Sequence, residues 1–270
     1  SDRPCVGLSE DLLGRGGMVR GLSQAILNRA DRESMVFAVQ GPWGSGKSSF
    51  LNFLGQDLEA KDGVVVCRFD PWWFSTADDL IVRFFHQLQS TLGKTSNDRI
   101  KKAASAFGTL AKVMRPAAAM VPGGTEVVLA IEGSADAVGK ASSAASEDIW
   151  SLRFEVETLL EAAGVTVVVL IDDLDRLTPP EVKTVFRLVK GISALRGLVH
   201  VIAFDYGMVA KCLDDFGGPG YLEKIVQTSI ELSPPTQSQL QRALYQGLEP
   251  VLGPDLESIR WANLFHESLS

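Results

Sequence analysis

The chain contains 270 residues, of which 46% are hydrophobic, and it carries a formal net charge of −7. This length and apolar content suffice for one large domain or two small domains with a buried core. The acidic balance does not indicate a wide nucleic-acid-binding surface. Cys5, Cys67 and Cys212 are too widely spaced for a disulfide framework or a zinc site, which favours a reducing, cytoplasmic setting. The first residues show no signal-peptide pattern.

Apolar runs predict the strands. Four runs are near-continuous and a fifth is weaker; they cover 35–40, 64–69, 165–172, 198–204 and 226–232. Helical patterns separate them, and strands that are apolar on both faces are typical of a parallel sheet buried between helices. We therefore expect an α/β fold with a parallel sheet of about five strands and helices on both faces.

Start and stop signals delimit the helical patterns. Gly93 is expected to end a helix with apolar positions between Leu80 and Leu92, and Ser146 is expected to cap a helix that ends at Gly164. The run Thr178–Glu181 has the spacing of a capping box, with two prolines in the first turn. These signals place one helix after the second strand, one between the insert and the third strand, and one after the third strand.

One region breaks the alternation. Residues 103–146 are rich in Ala, Gly and Ser, and Pro116 and Pro122 are expected to interrupt any helix there. Four charged residues leave no uncharged run of about 18 residues, as a membrane span would need; they are Lys112, Arg115, Glu126 and Glu132. We predict an inserted helical or partly mobile segment that projects from the sheet, without membrane contact.

A glycine-rich motif follows the first strand. Gly41 and Gly46-Lys47-Ser48 fit the pattern G-x-x-x-x-G-K-[ST] between a strand and a helix, which is the context of a phosphate-binding loop. Its backbone amides and the helix N-terminus would surround a phosphate. Lys47 would reach the β- and γ-phosphate oxygens, and Ser48 would bind Mg²⁺. The predicted nucleotide contacts in this stretch are Gly41, Pro42, Trp43, Gly44, Ser45, Gly46, Lys47, Ser48 and Ser49. Trp43 is expected to pack on a neighbouring loop rather than on a base.

An acidic run ends the 165–172 strand. Asp172 occupies the position where phosphate-loop proteins place the Mg²⁺-organising carboxylate. Asp173 is predicted to aim at the attacking water, with turn capping as the alternative. Asp175 is expected to cap the turn, and Arg176 is expected to pair with Asp175 rather than point at a phosphate.

The order of these motifs favours one class of phosphate-loop protein. A complete strand–helix unit, 64–92, separates the loop from the acidic strand, so the two strands are not expected to be neighbours in the sheet. This order is typical of ATPases with an additional strand and a catalytic carboxylate. A small-molecule kinase would need an arginine-rich lid, and 206–270 contains few arginines.

Taken together, these motifs resemble those of the KAP family of P-loop NTPases. The resemblance extends over about residues 5–235 and rests on the order and spacing of five runs: Gly41–Ser48, Phe69–Phe74, Ile171–Arg176, His200–Asp205 and Tyr221–Gln227. It implies a P-loop ATPase core related to the AAA+ and STAND groups. Many members carry transmembrane helices between the two phosphate-site motifs, and here 93–146 occupies that place without the apolar length. Members are linked to signalling scaffolds in animals and to phage exclusion in bacteria.

The resemblance also implies roles for further residues. Lys47 and Asp173 would be catalytic, and Ser48 and Asp172 would hold Mg²⁺. Asp205 would sense the γ-phosphate, with capping of the helix at 206–213 as the alternative. The segment Leu12–Arg15 looks like the nucleotide-gripping segment of this ATPase group, where Arg15 or the Gly14 backbone would contact the base or ribose.

The resemblance further implies a division of the chain and a function. Residues 1–235 would form the NTPase core, with an insert at about 93–146, and 236–270 would begin a helical lid in which Arg242 and Arg260 are the available arginines. The expected function is an ATP- and Mg²⁺-dependent hydrolytic switch that associates with itself or with a protein partner. The alternative is a nucleotide-binding scaffold with little hydrolysis, which would recruit a partner through the aromatic run 69–74 or the insert.

Overall fold

The computed structural model describes residues 3–29, 33–73, 77–120, 143–193, 195–214, 218–241 and 243–244. Within these ranges, five parallel strands form one sheet in the order β2-β3-β4-β1-β5. Their bounds are β1 Met35–Gln40, β2 Val64–Phe69, β3 Thr166–Ile171, β4 Leu198–Phe204 and β5 Thr228–Glu231. The predicted five-stranded parallel sheet is confirmed. Strand β4 lies between β1 and β3, which confirms that the loop strand and the acidic strand are not neighbours.

Helices connect the strands. The α-helices are α1 Gly16–Leu27, α2 Lys47–Glu59, α3 Ala77–Gly93, α4 Asp98–Met120, α5 Ser143–Ala163, α6 Pro179–Ile192, α7 Tyr206–Cys212 and α8 Pro219–Glu223. Single 3-10 turns occur at Leu8–Glu10, Pro71–Trp73 and Leu174–Arg176. The last of these turns directly follows β3 and carries part of the acidic run.

The sheet is buried on both faces. One face packs on α1 and α2 through residues such as Ile26, Phe37 and Leu54. The other face packs on the larger helical layer through residues such as Phe84 and Phe186. Because successive strand residues point to opposite faces, this double burial accounts for the near-continuous apolar runs in the sequence.

The helix starting at Thr178 has the predicted cap. A Glu181 carboxylate oxygen accepts hydrogen bonds from the Thr178 backbone N–H at 2.8 Å and from its hydroxyl at 2.7 Å. This contact fixes the entry into α6, because it satisfies a donor that the first helical turn leaves free.

Two helix predictions are wrong in detail. Helix α5 begins at Ser143, so Ser146 lies inside the helix rather than at its cap. Helix α4 continues through Pro116, which was expected to interrupt it. The first half of α4 packs against α3 and α5 and buries Ala103 and Phe107 in the main core. The first half of α4, a part of the predicted insert, therefore belongs to the helical layer instead of projecting. The rest of the predicted insert, 121–142, lies outside the described residues.

No helix in the described ranges has both the length and the apolar character needed to cross a bilayer.

His200 is a polar residue at the centre of the sheet. It lies on β4, opposite Val36 of β1 and Val169 of β3, and it is fully buried. Neither ring nitrogen has a hydrogen-bond partner among the described residues. Burial lowers the pKa of His200 to about 3, from an ordinary value of 6.5. The imidazole is therefore neutral in the folded protein at any moderate pH.

We predict that His200 makes stability pH-dependent. The unfolded chain binds a proton at His200 below pH 6.5 whereas the folded chain does not until about pH 3, so the free energy of unfolding falls as the pH drops through this window. This group alone should remove about 2 kcal/mol between pH 7 and pH 5. His200→Leu should raise stability at pH 7 by about 1 kcal/mol, because it removes unpartnered buried nitrogens. It should also flatten the pH dependence.

Urea unfolding of both proteins at pH 5, 6 and 7 measures this effect. Carboxylates contribute equally to both proteins, so the difference between their curves isolates His200. Parallel curves would show that the histidine finds a partner when it is protonated.

Candidate phosphate-binding site

The loop between β1 and α2 is built around its glycines. A Cβ at Gly41 would lie 2.4 Å from the Ser45 hydroxyl oxygen and 3.0 Å from the Leu232 carbonyl oxygen, so no larger residue fits there. Gly44 and Gly46 have φ angles of +77° and +86°, in the left-handed region that favours glycine. These positions let the chain curl back over the start of α2. At the crest of the loop Pro42, Trp43 and Gly44 are exposed.

Lys47 folds over this loop from the first turn of α2. Its Nζ donates to the carbonyl oxygens of Gly41 at 3.0 Å and Pro42 at 3.3 Å. A third partner is the Oδ2 atom of Asp175 at 3.5 Å, and both side chains are only 7% exposed. The structure thus places the predicted phosphate-binding lysine inside the loop, beside a buried carboxylate.

Asp175 is the residue of this site that the sequence prediction missed. We expected it to cap the turn, but the 3-10 turn Leu174–Arg176 brings its side chain back to Lys47. Its other oxygen, Oδ1, is buried without a partner among the described residues. The only signal in the sequence is the spacing of three acids after a strand, which does not reveal the direction in which the turn closes.

Ser48 and Asp172 face each other across the loop. Burial raises the pKa of Asp172, a hydrogen bond from Ser48 and one from the Asp173 backbone oppose this shift, and the nearby charges of Asp173 and Asp70 reinforce it. The backbone N–H of Asp173 donates to Asp172 Oδ1 at 2.8 Å. A carboxylate whose charge is disfavoured by burial and by other acids is stabilised by a cation. The predicted Mg²⁺ ligands therefore lie together in a setting that fits the ion.

These residues do not form a complete metal site by themselves. No group of three or more His, Cys, Asp or Glu side chains in the described part of the chain is arranged to hold a metal. This result agrees with the chemistry of Mg²⁺, which usually takes one or two protein carboxylates and completes its shell with water and phosphate oxygens.

Asp173 has a distinct backbone and a distinct partner. Its φ of +57° makes it the one non-glycine residue with positive φ in the described ranges. Its Oδ1 lies 3.1 Å from Arg176 Nε. The expected pairing of Arg176 with Asp175 is therefore wrong, because the tight turn directs the two acids to opposite sides.

Arg176 in turn contacts two tryptophans. Its guanidinium carbon lies 4.9 Å from the ring centre of Trp72 and 5.9 Å from that of Trp43, within the range of cation–π attraction. Trp43 is 74% exposed, so its predicted packing on a neighbouring loop is limited to this contact at the ring face. Trp72 is half-buried, and Phe74 of the same aromatic run lies outside the described residues.

A cavity of about 230 Å³ opens beside the Mg²⁺ ligands. Its charged lining residues are Arg68, Asp70, Asp172, Asp173 and Arg176. Burial, and then the charge of Asp173, raises the pKa of Asp70, while the two arginines oppose that shift. The carboxyl ends of β2 and β3 thus concentrate acids at one side of the loop.

Asp205 directly follows β4, and the end of β4 lies beside the start of the loop in the sheet. The Gly41 backbone N–H donates to the carbonyl oxygen of Phe204 at 3.3 Å, which joins the end of β4 to the start of the loop. Asp205 Oδ1 accepts a hydrogen bond from the Met208 N–H at 3.1 Å and caps α7. The capping alternative is confirmed, and sensing of the γ-phosphate stays a prediction.

Arg15 lies behind the loop. It is 8% exposed, its Nη2 donates to the Ser233 carbonyl at 3.0 Å, and its Nη1 is buried without a hydrogen-bond partner in the described residues. Its guanidinium carbon is 4.0 Å from the position that a Cβ of Gly46 would occupy. Burial lowers the pKa of Arg15, opposed by Asp11. The guanidinium therefore lies beside the loop, and among the described residues its Nη1 has no hydrogen-bond acceptor.

Ser49, a predicted nucleotide contact, has another partner. The Ser49 hydroxyl accepts a hydrogen bond from the Cys5 N–H at 3.0 Å, which ties the N-terminal segment to α2. The Gln239 side chain donates to the Leu13 carbonyl at 2.8 Å, so the start of the predicted lid, helical at 237–241, touches the segment before α1. Arg242 and Arg260 lie outside the described residues.

Solved structures resemble this chain in fold. The Walker-type ATPase PABY2304 of Pyrococcus abyssi matches with a TM-score of 0.50 and 16% identity, over 93% of this chain and 62% of its own. Cdc6p from Pyrobaculum aerophilum matches with a TM-score of 0.48 and 16% identity, over 86% of this chain and 50% of its own. The first of these likenesses supports the P-loop ATPase type of fold.

A curated relative and a family model extend the comparison. The phage T7 exclusion protein of Escherichia coli strain K12 is 26% identical over 264 residues, which are 89% of this chain and 36% of the relative. The chain thus spans about a third of that protein. The model of the KAP family P-loop domain matches residues 17–263, a range that holds the loop, the Ser48–Asp172 pair and the acidic turn. The chain belongs to the KAP family of P-loop NTPases.

Proposed function

We propose that this chain binds ATP with Mg²⁺ and hydrolyses it as a molecular switch. The observation that carries the proposal is the meeting of three elements at one point: a glycine loop closed by Lys47, the facing pair Ser48 and Asp172, and a second acid, Asp173, on the adjoining turn. Phosphoryl transfer depends mainly on positioning and charge stabilisation, which these groups supply.

In the proposed mechanism, loop amides and Lys47 hold the β- and γ-phosphates. Ser48 and Asp172 would hold the magnesium ion, which when bound neutralises charge on the phosphate oxygens. Asp173 would orient the attacking water with Oδ2, since Arg176 fixes its Oδ1. Arg15 would use its unpartnered Nη1 toward the nucleotide, and Asp205 would sense the γ-phosphate from the end of β4.

The division of the chain and its biological role are proposed from its relatives. We assign residues 1–235 to the NTPase core, with an insert at about 93–146, and 236–270 to the beginning of a lid that closes over bound nucleotide. The curated relative is named for phage exclusion, and we propose that this chain also serves defence or signalling, through self-association or a protein partner. The three cysteines are free thiols, in keeping with a cytoplasmic setting.

One observation favours the second candidate, a nucleotide-binding scaffold with little hydrolysis. In this second candidate, the pairing with Arg176 holds the Asp173 carboxylate away from the water instead of orienting its Oδ2 toward it. Hydrolysis would then wait for a partner that releases it. The exposed Trp43 beside Arg176 would be available to such a partner.

Wild-type protein with ATP and Mg²⁺ should release inorganic phosphate, and Asp173→Asn should lower the turnover about 100-fold while nucleotide affinity changes little. The amide keeps the left-handed backbone conformation, which Asn tolerates, so the change is confined to the charge. Phosphate release and calorimetric binding should be measured on the same preparations. Binding without turnover in the wild type would favour the scaffold, and equal turnover in both proteins would remove Asp173 from the mechanism.

Lys47→Ala should strongly weaken nucleotide binding and also destabilise the protein. It leaves the Asp175 carboxylate buried without its counter-ion, which should cost about 3 kcal/mol. Lys47→Ala with Asp175→Asn should recover most of that stability but none of the binding. Thermal unfolding without nucleotide tests this expectation. If the single and double variants unfold together, the ion pair contributes nothing to stability.

A further inference from the structure

We propose that Asp175 and bound phosphate compete for Lys47. Asp175 is the counter-ion of the lysine in the structure, and it is displaced when a nucleotide phosphate arrives. The inference rests on the proposed nucleotide binding, and it does not require hydrolysis. It makes Asp175 a positioning residue that acts through Lys47 and lowers the affinity of the site.

The first argument is the donor capacity of the lysine. An ammonium group has three N–H donors, and Lys47 Nζ uses two of them in hydrogen bonds to the carbonyls of Gly41 and Pro42. Its ion-pair partner Asp175 lies 3.5 Å away, so Asp175 and a phosphate oxygen compete for the one donor that remains. The Asp175 contact, at 3.5 Å, is the longest of the three and the one that is not made within the loop itself.

The second argument is the electrostatic environment. Both side chains are 7% exposed, so solvent and salt screen their attraction poorly. Asp175 Oδ1 has no described partner, which leaves Lys47 as the main compensation for a buried negative charge. When phosphate takes the lysine, this carboxylate loses its counter-ion while it stays buried, and the cost of that loss weakens binding.

The third argument separates Asp175 from its neighbours in the acidic run. Asp172 is hydrogen-bonded to Ser48, and Asp173 is paired with Arg176. Within the described part of this run, Asp175 alone contacts Lys47. The exchange therefore follows from its position in the turn and not from acidity in general. As a consequence of the exchange, Asp175 pairs with Lys47 again when the product leaves. This pairing speeds the release of ADP and phosphate.

The test compares Asp175→Asn with the wild type by calorimetry, using ADP with Mg²⁺, inorganic phosphate and a non-hydrolysable ATP analogue. We expect ADP to bind about tenfold more tightly to the variant and to dissociate correspondingly more slowly. Asp214→Asn is the matched control, because it removes the same charge from an exposed carboxylate, and its affinity should equal that of the wild type. If Asp175→Asn does not fold, Asp175→Ser removes the same charge and should give the same tightening.

The mechanism is checked in a Lys47→Met background. Competition predicts that Asp175→Asn no longer tightens binding there, while direct repulsion alone predicts that the tightening persists, which would overturn the exchange. Unchanged or weaker ADP binding in Asp175→Asn would also overturn it. Absence of nucleotide binding in the wild type would instead refute the proposed function, so the two failures are distinguishable.

Discussion

The buried ammonium group of Lys47 organises the functional end of this molecule. It joins the loop carbonyls that precede it to a carboxylate from a strand two positions away in the sheet. A positive charge at this depth is tolerated because two carbonyl oxygens accept hydrogen bonds from it and a negative charge is near. These contacts thus hold the loop and the acidic turn in register with each other.

The sheet order makes that contact geometrically reachable. Because β4 lies between β1 and β3, the loop and the acidic turn leave the same edge of the sheet about two strand spacings apart, roughly 10 Å. A long lysine side chain from the start of α2 spans this gap to reach Asp175. The separation also leaves space for a phosphate group and an ion between the two elements.

The sequence predicted the parts that depend on local pattern. The strands follow from apolar runs, the loop from glycines whose conformation no other residue adopts easily, and the Thr178 cap from its spacing to Glu181. The directions of side chains within a tight turn could not be predicted. They depend on the backbone of a single residue, Asp173, whose positive φ sends Asp175 to Lys47 and leaves Arg176 with Asp173. Continuation of α4 through Pro116 was also not predictable, since a proline in a helix interior normally interrupts the helix.

The backbone of Asp173 also limits which residues this position can accept. In the left-handed region, Asp and Asn are tolerated because their short side chains hydrogen-bond locally, while β-branched and longer residues are disfavoured. A glutamate would gain reach toward the cleft but would strain the turn that carries Asp175. Aspartate at this position therefore has a shorter reach than glutamate but keeps a fixed direction. Replacement by glutamate would disturb the contact between Asp175 and Lys47 as well as the conformation of residue 173 itself.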